Sequence, residues 1–339
     1  MSAVLTGLTA LPLGRIGGTP ADPTLAGISD GLVYSAMAAY AVALVAFAVD
    51  LTGGRGAARE QALVGASTGS TAGAGPVSGS ADPAAAARPR RAGGIGSSVF
   101  GLAVLLHLVA VLARGASVQR VPWSDAYEFA VSGSLILGLV YVVLLRDPAR
   151  WRWLGTFVAI PVLLTLMIAT SFFYTEASAL SPALQSSWLV VHVSIAFLAS
   201  ALFTLGFSLA VVQLVQHRQE SLVAAGAEPS RFLERVPPAR QLEQTSFQMH
   251  AVAFVLWTFT VIAGAIWAAE AWGRYWGWDP KEVWSFVIWV VYAAYLHARS
   301  TAGWAGARSA WIAVLGFACL LFNFLGVNYL FVGNHSYAL

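Results

Sequence analysis

The chain has 339 residues, of which 58% are hydrophobic and only 10% are charged, and its mean hydropathy is +0.70. An ordinary soluble domain carries about 25% charged residues, so this composition excludes a soluble enzyme. The net charge of +3 does not indicate nucleic-acid binding, because the basic residues are scattered among the connections and not gathered on one face.

Apolar runs of membrane-spanning length recur along the whole chain. A transmembrane helix needs about 20 apolar residues, and the sequence predicts about eight such helices. They lie at residues 28–51, 96–113, 126–145, 153–173, 187–216, 247–270, 282–299 and 309–332. We therefore expect an all-α, polytopic integral membrane protein.

Basic residues in the connections predict how these helices are oriented. Fourteen of the nineteen Lys and Arg residues fall on one side of the predicted bundle. Basic residues near helix ends favour the cytoplasmic side. The other side carries Arg15, Arg114, Arg120, Arg274 and Lys281. This asymmetry predicts that both chain termini lie outside the cytoplasm. We expect a multi-pass protein of the cell (plasma) membrane.

The remaining segments are predicted to carry no chemistry. Residues 52–95 are rich in Gly, Ser, Ala, Thr and Pro, which bury too little apolar surface to offset their ordering entropy. We expect them to form a disordered cytoplasmic insert between the first helix, 28–51, and a seven-helix core at 96–339. We expect residues 1–27 to form an extracytoplasmic segment and residues 217–246 to form a cytoplasmic loop that includes a short surface helix.

The densest motif is an outer segment between the sixth and seventh helices, where residues 267–289 hold six of the thirteen tryptophans. The segment reads Trp272-Gly273-Arg-Tyr-Trp276-Gly277-Trp278-Asp279-Pro-Lys-Glu282-Val-Trp284. One interpretation is an interfacial aromatic belt, since indoles favour the headgroup level. The other is a platform for a large planar ligand, because glycines alternate with the indole rings and leave the backbone bare. Asp279 and Glu282 also form a capping box for the next helix.

Histidines occur at two depths. His192 lies near the outer end of the fifth helix, and His335 follows the outer end of the eighth, so both lie at the level of the tryptophan segment. Two imidazoles beside an aromatic surface are what axial ligation of haem requires. His297 lies near the cytoplasmic end of the seventh helix, where this chain offers no second ligand. A partner chain is therefore expected to supply one.

A second outer motif precedes the third helix and reads Pro122-Trp123-Ser124-Asp125-Ala126-Tyr127-Glu128. Ser124 or Asp125 with Glu128 is typical of a helix cap, and the motif also offers an acidic rim to the haem site. The cations available for haem propionates are Arg114, Arg120 and Arg274, among which the sequence does not choose.

Other polar residues receive plainer interpretations. His217 and His250 are expected to be solvated or capping side chains, and His107 to pack or hydrogen-bond inside the second helix. Cys319 is the one cysteine and lies in an apolar run, which excludes a disulfide or a CxxC redox pair within this chain.

On these residues, the chain resembles the CcsA or ResC type of membrane subunit in system II cytochrome c biogenesis. The resemblance rests on the tryptophan-rich (WWD) segment, the stretch at 122–128, His192, His335 and His297, and it covers residues 96–339. The resemblance implies a haem carrier and cytochrome c synthase (haem lyase) that works with a second membrane subunit of the Ccs1 or ResB type.

The resemblance also implies where haem b is held. The inner site would pair His297 with a histidine of the partner, and the outer site would use His192 and His335 over the tryptophan segment. Apocytochrome c would present a CxxCH motif, and its thiols would be kept reduced by thioredoxin-like proteins. A haem carrier or scaffold that forms no bond, and a b-type electron-transfer protein, remain as alternatives.

Overall fold

The computed structural model describes residues 21–53, 83–178, 184–230, 232–301 and 303–335, with side chains from residue 91 onward in the second range. Within these ranges the regular structure is helical, with no strand. The prediction of an all-α fold is confirmed. The long helices are α1 (Pro23–Thr52), α2 (Pro83–Val118), α3 (Ala126–Leu144), α5 (Gly155–Phe172), α6 (Ser187–Ala224), α7 (Ala239–Trp272), α8 (Pro280–Ser300) and α9 (Ala307–Leu321).

Shorter helical turns extend two of these helices. The four-residue helix α4 (Pro148–Trp151) and a 3₁₀ turn lead into α5, and a π-helical turn at Phe322–Gly326 joins α9 to α10 (Val327–Leu330). In the described part of the chain, seven helices are long and apolar enough to cross a membrane. The protein is therefore a multi-pass membrane protein.

Helix α8 is the predicted span that length and composition do not identify as a crossing. Its bounds nevertheless match the prediction, and at about 1.5 Å per residue its 21 residues extend for roughly 30 Å. Its C-terminal Arg299 Nε lies 2.9 Å from Glu243 Oε1 near the start of α7. Its N-terminal end follows the loop after α7, so α8 runs antiparallel to α7.

Two regions differ from the sequence predictions. Residues 83–95 are helical, so the predicted disordered insert is wrong there, while residues 54–82 and 1–20 lie outside the described residues. The run of Ala at 84–87 has high helix propensity, which the composition of the whole stretch concealed. Helix α6 also continues to Ala224 and α7 begins at Ala239, so much of the predicted loop at 217–246 is helical.

The helices pack in two groups that share α6. In the first, α1, α2, α3 and α5 meet around Tyr40, Phe100 and Tyr141, whose rings lie 5.0 to 5.1 Å apart in edge-on pairs. In the second, α6, α7, α8 and α9 pack around Phe203 and Tyr292, stacked at 3.8 Å. A cavity lies where the two groups join.

Candidate functional site

The cavity has a volume of about 710 Å³ and is lined mainly by apolar and aromatic side chains. Pockets for small molecules and cofactors usually measure roughly 300–1,000 Å³, so its size suits a cofactor. It follows α6 from Leu189 to Val211. Its outer end is lined by Trp123, His192, Trp267, Trp272, Trp276 and His335.

His192 is held on the cavity wall by helix α7. Its Nδ1 donates to the carbonyl oxygen of Thr260 at 2.8 Å, and its ring is nearly parallel to that of Trp267, at 6.1 Å between centroids and 12° between planes. The ring lies against Gly264, where a Cβ atom would come within 2.8 Å of His192 Cε1. Because Nδ1 carries the proton, the lone pair of this imidazole is on Nε2.

His335 is oriented by Asp279. Its Nδ1 lies 2.8 Å from Asp279 Oδ1, and its ring contacts Trp267 and Trp272 at 5.7 and 4.9 Å between centroids. A carboxylate that accepts the Nδ1 proton fixes the tautomer with the lone pair on Nε2, as in histidines that bind metals. Both histidines therefore face one indole, Trp267, with the same nitrogen suited to ligation.

Asp279 is placed by the start of α8. It is the N-cap of that helix in a capping box with Glu282, and its two oxygens also accept from the backbone of Lys281 and Asn334. Burial pushes the pKa of Asp279 upward, but the hydrogen bond from His335, together with the charge that this ring carries when protonated, outweighs burial and holds that pKa below its ordinary value. Asp279 does not line the cavity, and in this arrangement it orients His335.

Only part of the predicted tryptophan platform faces the cavity. Trp272, Trp276 and Glu282 line it. Trp278, at φ +60° and 75% exposed, and Trp284, which packs on Phe322 at 4.3 Å, do not. That these two indoles contact the ligand stays a prediction.

The glycines of the segment serve the loop itself. Gly273 has a φ of +71° and ends α7 in the left-handed region. Gly277 makes room for the guanidinium of Arg274, which occupies the place of a Cβ atom. Neither glycine lines the cavity, and the expectation that bare backbone admits a planar ligand stays a prediction.

The motif before α3 contributes four cavity residues and one structural carboxylate. The cavity is lined by Trp123, Ser124, Asp125 and Ala126. Asp125 caps α3 through the Glu128 backbone, and burial together with the charge of Glu128 raises the pKa of Asp125. Glu128 is fully buried and pairs with Arg114 Nε at 3.1 Å and Arg120 Nη1 at 2.7 Å, so it holds the loop and not a cofactor.

The remaining histidines lie away from the outer end of the cavity. His297 is exposed in the last turn of α8, with Nε2 3.3 Å from Thr301 Oγ1, and the structure does not bring it near His192. His217 is exposed, as predicted. His250 is fully buried against Tyr292, at 5.2 Å between centroids, so its prediction as a solvated or capping residue is wrong. His107 is buried with Nδ1 3.4 Å from Tyr40 Oη, which agrees with a packing role.

Sequence reasoning missed two residues of the cavity wall. Gly264 was detectable as a glycine inside an apolar helix, a position that often marks close packing. Lys281 lines the cavity, and its Nζ donates to the carbonyl oxygen of Asn323 at 2.7 Å. Burial lowers the pKa of Lys281 to about 8, against the opposing charge of Asp279.

Comparison with known proteins agrees with this arrangement. Residues 123–335 match the model of the cytochrome c assembly protein family, a region that contains both cavity histidines and the tryptophan segment. The chain belongs to the cytochrome c assembly protein family. It is therefore a multi-pass membrane protein of cytochrome c biogenesis.

Individual relatives in this family carry the name cytochrome c biogenesis protein CcsA. One such protein of Prochlorococcus marinus is 34% identical over 256 residues, which cover 69% of this chain and 80% of the relative. That of Synechococcus sp. (strain JA-3-3Ab) is 36% identical, covering 66% of this chain and 81% of the relative. That of Synechococcus sp. (strain CC9902) is 42% identical over 179 residues, a match that spans 59% of its length.

Proposed function

We propose that this chain binds haem b between His192 and His335 and delivers it to apocytochrome c as a subunit of a system II cytochrome c synthase. The observation that carries the proposal is the pair of imidazoles on one cavity, each with Nδ1 engaged and the lone pair on Nε2. Axial haem ligation by histidine uses a nitrogen of this kind.

The cavity fits such a ligand in two further respects. Its lining is largely apolar, and its outer end carries Trp267, Trp272 and Trp276, whose rings suit contact with a macrocycle. Its volume of about 710 Å³ lies within the range of cofactor pockets. Haem supplies the iron and the two vinyl groups, and the protein supplies position and surroundings.

The charge pattern of the sequence supports an outer location for the site. Fourteen of nineteen basic residues are predicted to lie on the side opposite the tryptophan segment, which favours an extracytoplasmic site. We propose the plasma membrane as its location. With this orientation both termini are extracytoplasmic. Apocytochrome c would approach from that side with its CxxCH motif.

The bond-forming step requires no oxidant. Each thiol of the CxxCH motif adds across a vinyl group, so that the S–H and C=C π bonds break while one C–S and one C–H bond form. Cys319 lies in α9, half-buried, and does not line the cavity, so both sulfurs come from the substrate. The thiols must arrive reduced, which is the role of the thioredoxin-like proteins. The chain contributes by holding the reacting groups in register.

His297 supports a role for a second subunit. Its side chain is exposed in the last turn of α8, where another chain can reach it. A Ccs1- or ResB-type membrane subunit would supply the second ligand to haem at this inner site. Ionisable residues at membrane depth are costly, and their presence favours a functional role.

The proposal is tested by producing the chain with its partner subunit and measuring haem content and covalent haem on a reduced CxxCH peptide. His192→Gly and His335→Gly should each lose haem and product. His217→Gly removes an exposed histidine far from the cavity and should keep both. If the two cavity variants kept both haem and covalent product, the proposal would be contradicted. If the wild type bound haem but formed no thioether product, the result would support a haem carrier and would exclude a synthase.

A further inference from the structure

The outer cations differ in whether they can reach the cavity. Arg114 and Arg120 are buried and paired with Glu128 at 3.1 and 2.7 Å. Arg120 Nη2 also donates to Ser124 Oγ and to the carbonyl oxygen of Ser178, and Arg114 Nη2 donates to that of Thr175. These bonds commit both guanidinium groups to the loop before α3.

Arg274 is also directed away from the cavity. Its guanidinium lies directly on Gly277, within the loop between α7 and α8, and Arg274 does not line the cavity. None of the three arginines predicted as partners for propionates therefore lines the cavity.

Lys281 is the one Lys or Arg among the described residues that line the cavity. Its Nζ lies 2.7 Å from the carbonyl oxygen of Asn323, in the π-helical turn, and 6.0 Å from the ring centroid of Phe324. A carbonyl oxygen accepts a hydrogen bond but does not cancel the charge. An ammonium group has three donors, so this bond leaves it further capacity to bind an anion.

A carboxylate entering this largely apolar cavity needs such a partner. Burying an unpaired carboxylate costs several kcal/mol, whereas a charge-assisted hydrogen bond offsets much of that cost. Lys281 is also close in sequence to the residue that orients His335, since Asp279 caps the helix in which Lys281 is the second residue. The cation and the orienting carboxylate are thus fixed by the same turn.

We propose that Lys281 binds a propionate carboxylate of the haem held by His192 and His335, an inference that rests on the proposed function. Two axial ligands fix the plane of the macrocycle but leave it free to rotate about the axis through iron. An ion pair at one edge stops that rotation. Because the vinyl groups lie on the edge opposite the propionates, Lys281 sets which edge is presented to the thiols.

The test compares haem with haem dimethyl ester, whose propionates carry no charge. Complex made with its partner subunit in a haem-deficient host is titrated with each compound. The wild type should bind haem about tenfold more tightly than the ester, a ratio that corresponds to roughly 1.4 kcal/mol. In Lys281→Met the ratio should fall to near one, with affinity for the ester unchanged. Lys281→Arg should keep most of the preference.

Arg274→Gln is the matched control, because it removes an outer cation that does not line the cavity. It should keep the wild-type ratio. A Lys281→Met complex with a two-histidine haem spectrum and an undiminished preference for haem over the ester would overturn the assignment of Lys281 alone. A wild-type complex that binds neither compound would overturn the proposed function and this inference together.

Discussion

At the scale of single residues, the site depends on the hydrogen-bond acceptors that orient its two histidines. Thr260 and Asp279 accept the Nδ1 protons of His192 and His335, at 2.8 Å in each case. Such outer partners fix the tautomer and raise the basicity of the ligating nitrogen. The tryptophan segment therefore contributes to the site partly through the carboxylate of Asp279, which orients His335.

Asp279→Asn tests this role directly. Asn is as good an N-cap as Asp, so α8 should keep its stability within about 0.5 kcal/mol. The hydrogen bond to His335 loses its charge, and haem affinity should fall by about 10- to 100-fold. The haem reduction potential should rise, because the imidazole becomes a weaker electron donor. Asp22→Asn changes the N-cap of α1, which does not line the cavity, and should change neither quantity. An unchanged potential and affinity in Asp279→Asn would show that Asp279 serves the helix alone.

At the scale of helices, one glycine in α7 determines how closely α6 approaches. A Cβ atom at Gly264 would lie 2.8 Å from His192 Cε1 and 2.9 Å from Nδ1, which is too close for the ring to remain in place. Gly206 in α6 serves the buried His250 in the same way, with a closest approach of 2.5 Å. The contact between α6 and α7 thus depends on small residues at both histidines.

Gly264→Ala should displace His192 and break its bond to Thr260. Haem affinity should fall at least about tenfold, even though Ala favours the helix by about 1 kcal/mol over Gly. The matched control is Gly101→Ala in α2, where a Cβ atom meets nothing within 4 Å. Haem titration with thermal unfolding separates the two effects. Equal haem affinity in the two variants would show that the position of His192 does not matter.

Helices were predicted well in number and poorly in length. Hydropathy marks the part of a helix that lies in the membrane, but α6 and α7 continue past it to Ala224 and from Ala239. Capping signals such as Asp279-Pro280 and Asp125 did locate helix starts, because they act through adjacent residues. Capping patterns did not locate every start, since α1 begins at Pro23 after its cap Asp22 and was predicted to begin at residue 28.

From the sequence, only the depth of the site in the membrane was predictable. Counting residues along α6 placed His192 with the tryptophan segment, since each helical residue rises about 1.5 Å. The pairing of His335 with Asp279 joins residues 56 apart, and the burial of Glu128 between two arginines depends on how loops fold over α3. No local pattern encodes such contacts, so neither could be found from sequence.

At the scale of the whole molecule, the cavity results from the way that two helix groups share α6. Leu205 and Leu209 of this helix pack into the first group, and Ala199 and Phe203 pack into the second. The opposing walls come from α3 and α5 on one side and from α7 and α9 on the other. A ligand in the cavity would touch both groups, which couples its binding to their relative position.

The most direct test of the central claim is the electron paramagnetic resonance spectrum of the ferric complex with haem added from outside. A His297→Gly background removes the contribution of the inner site. We predict the low-spin spectrum of two imidazole ligands, its loss in both His192→Gly and His335→Gly, and its return when imidazole is added. A low-spin two-histidine spectrum that persists in either variant would contradict ligation by these residues.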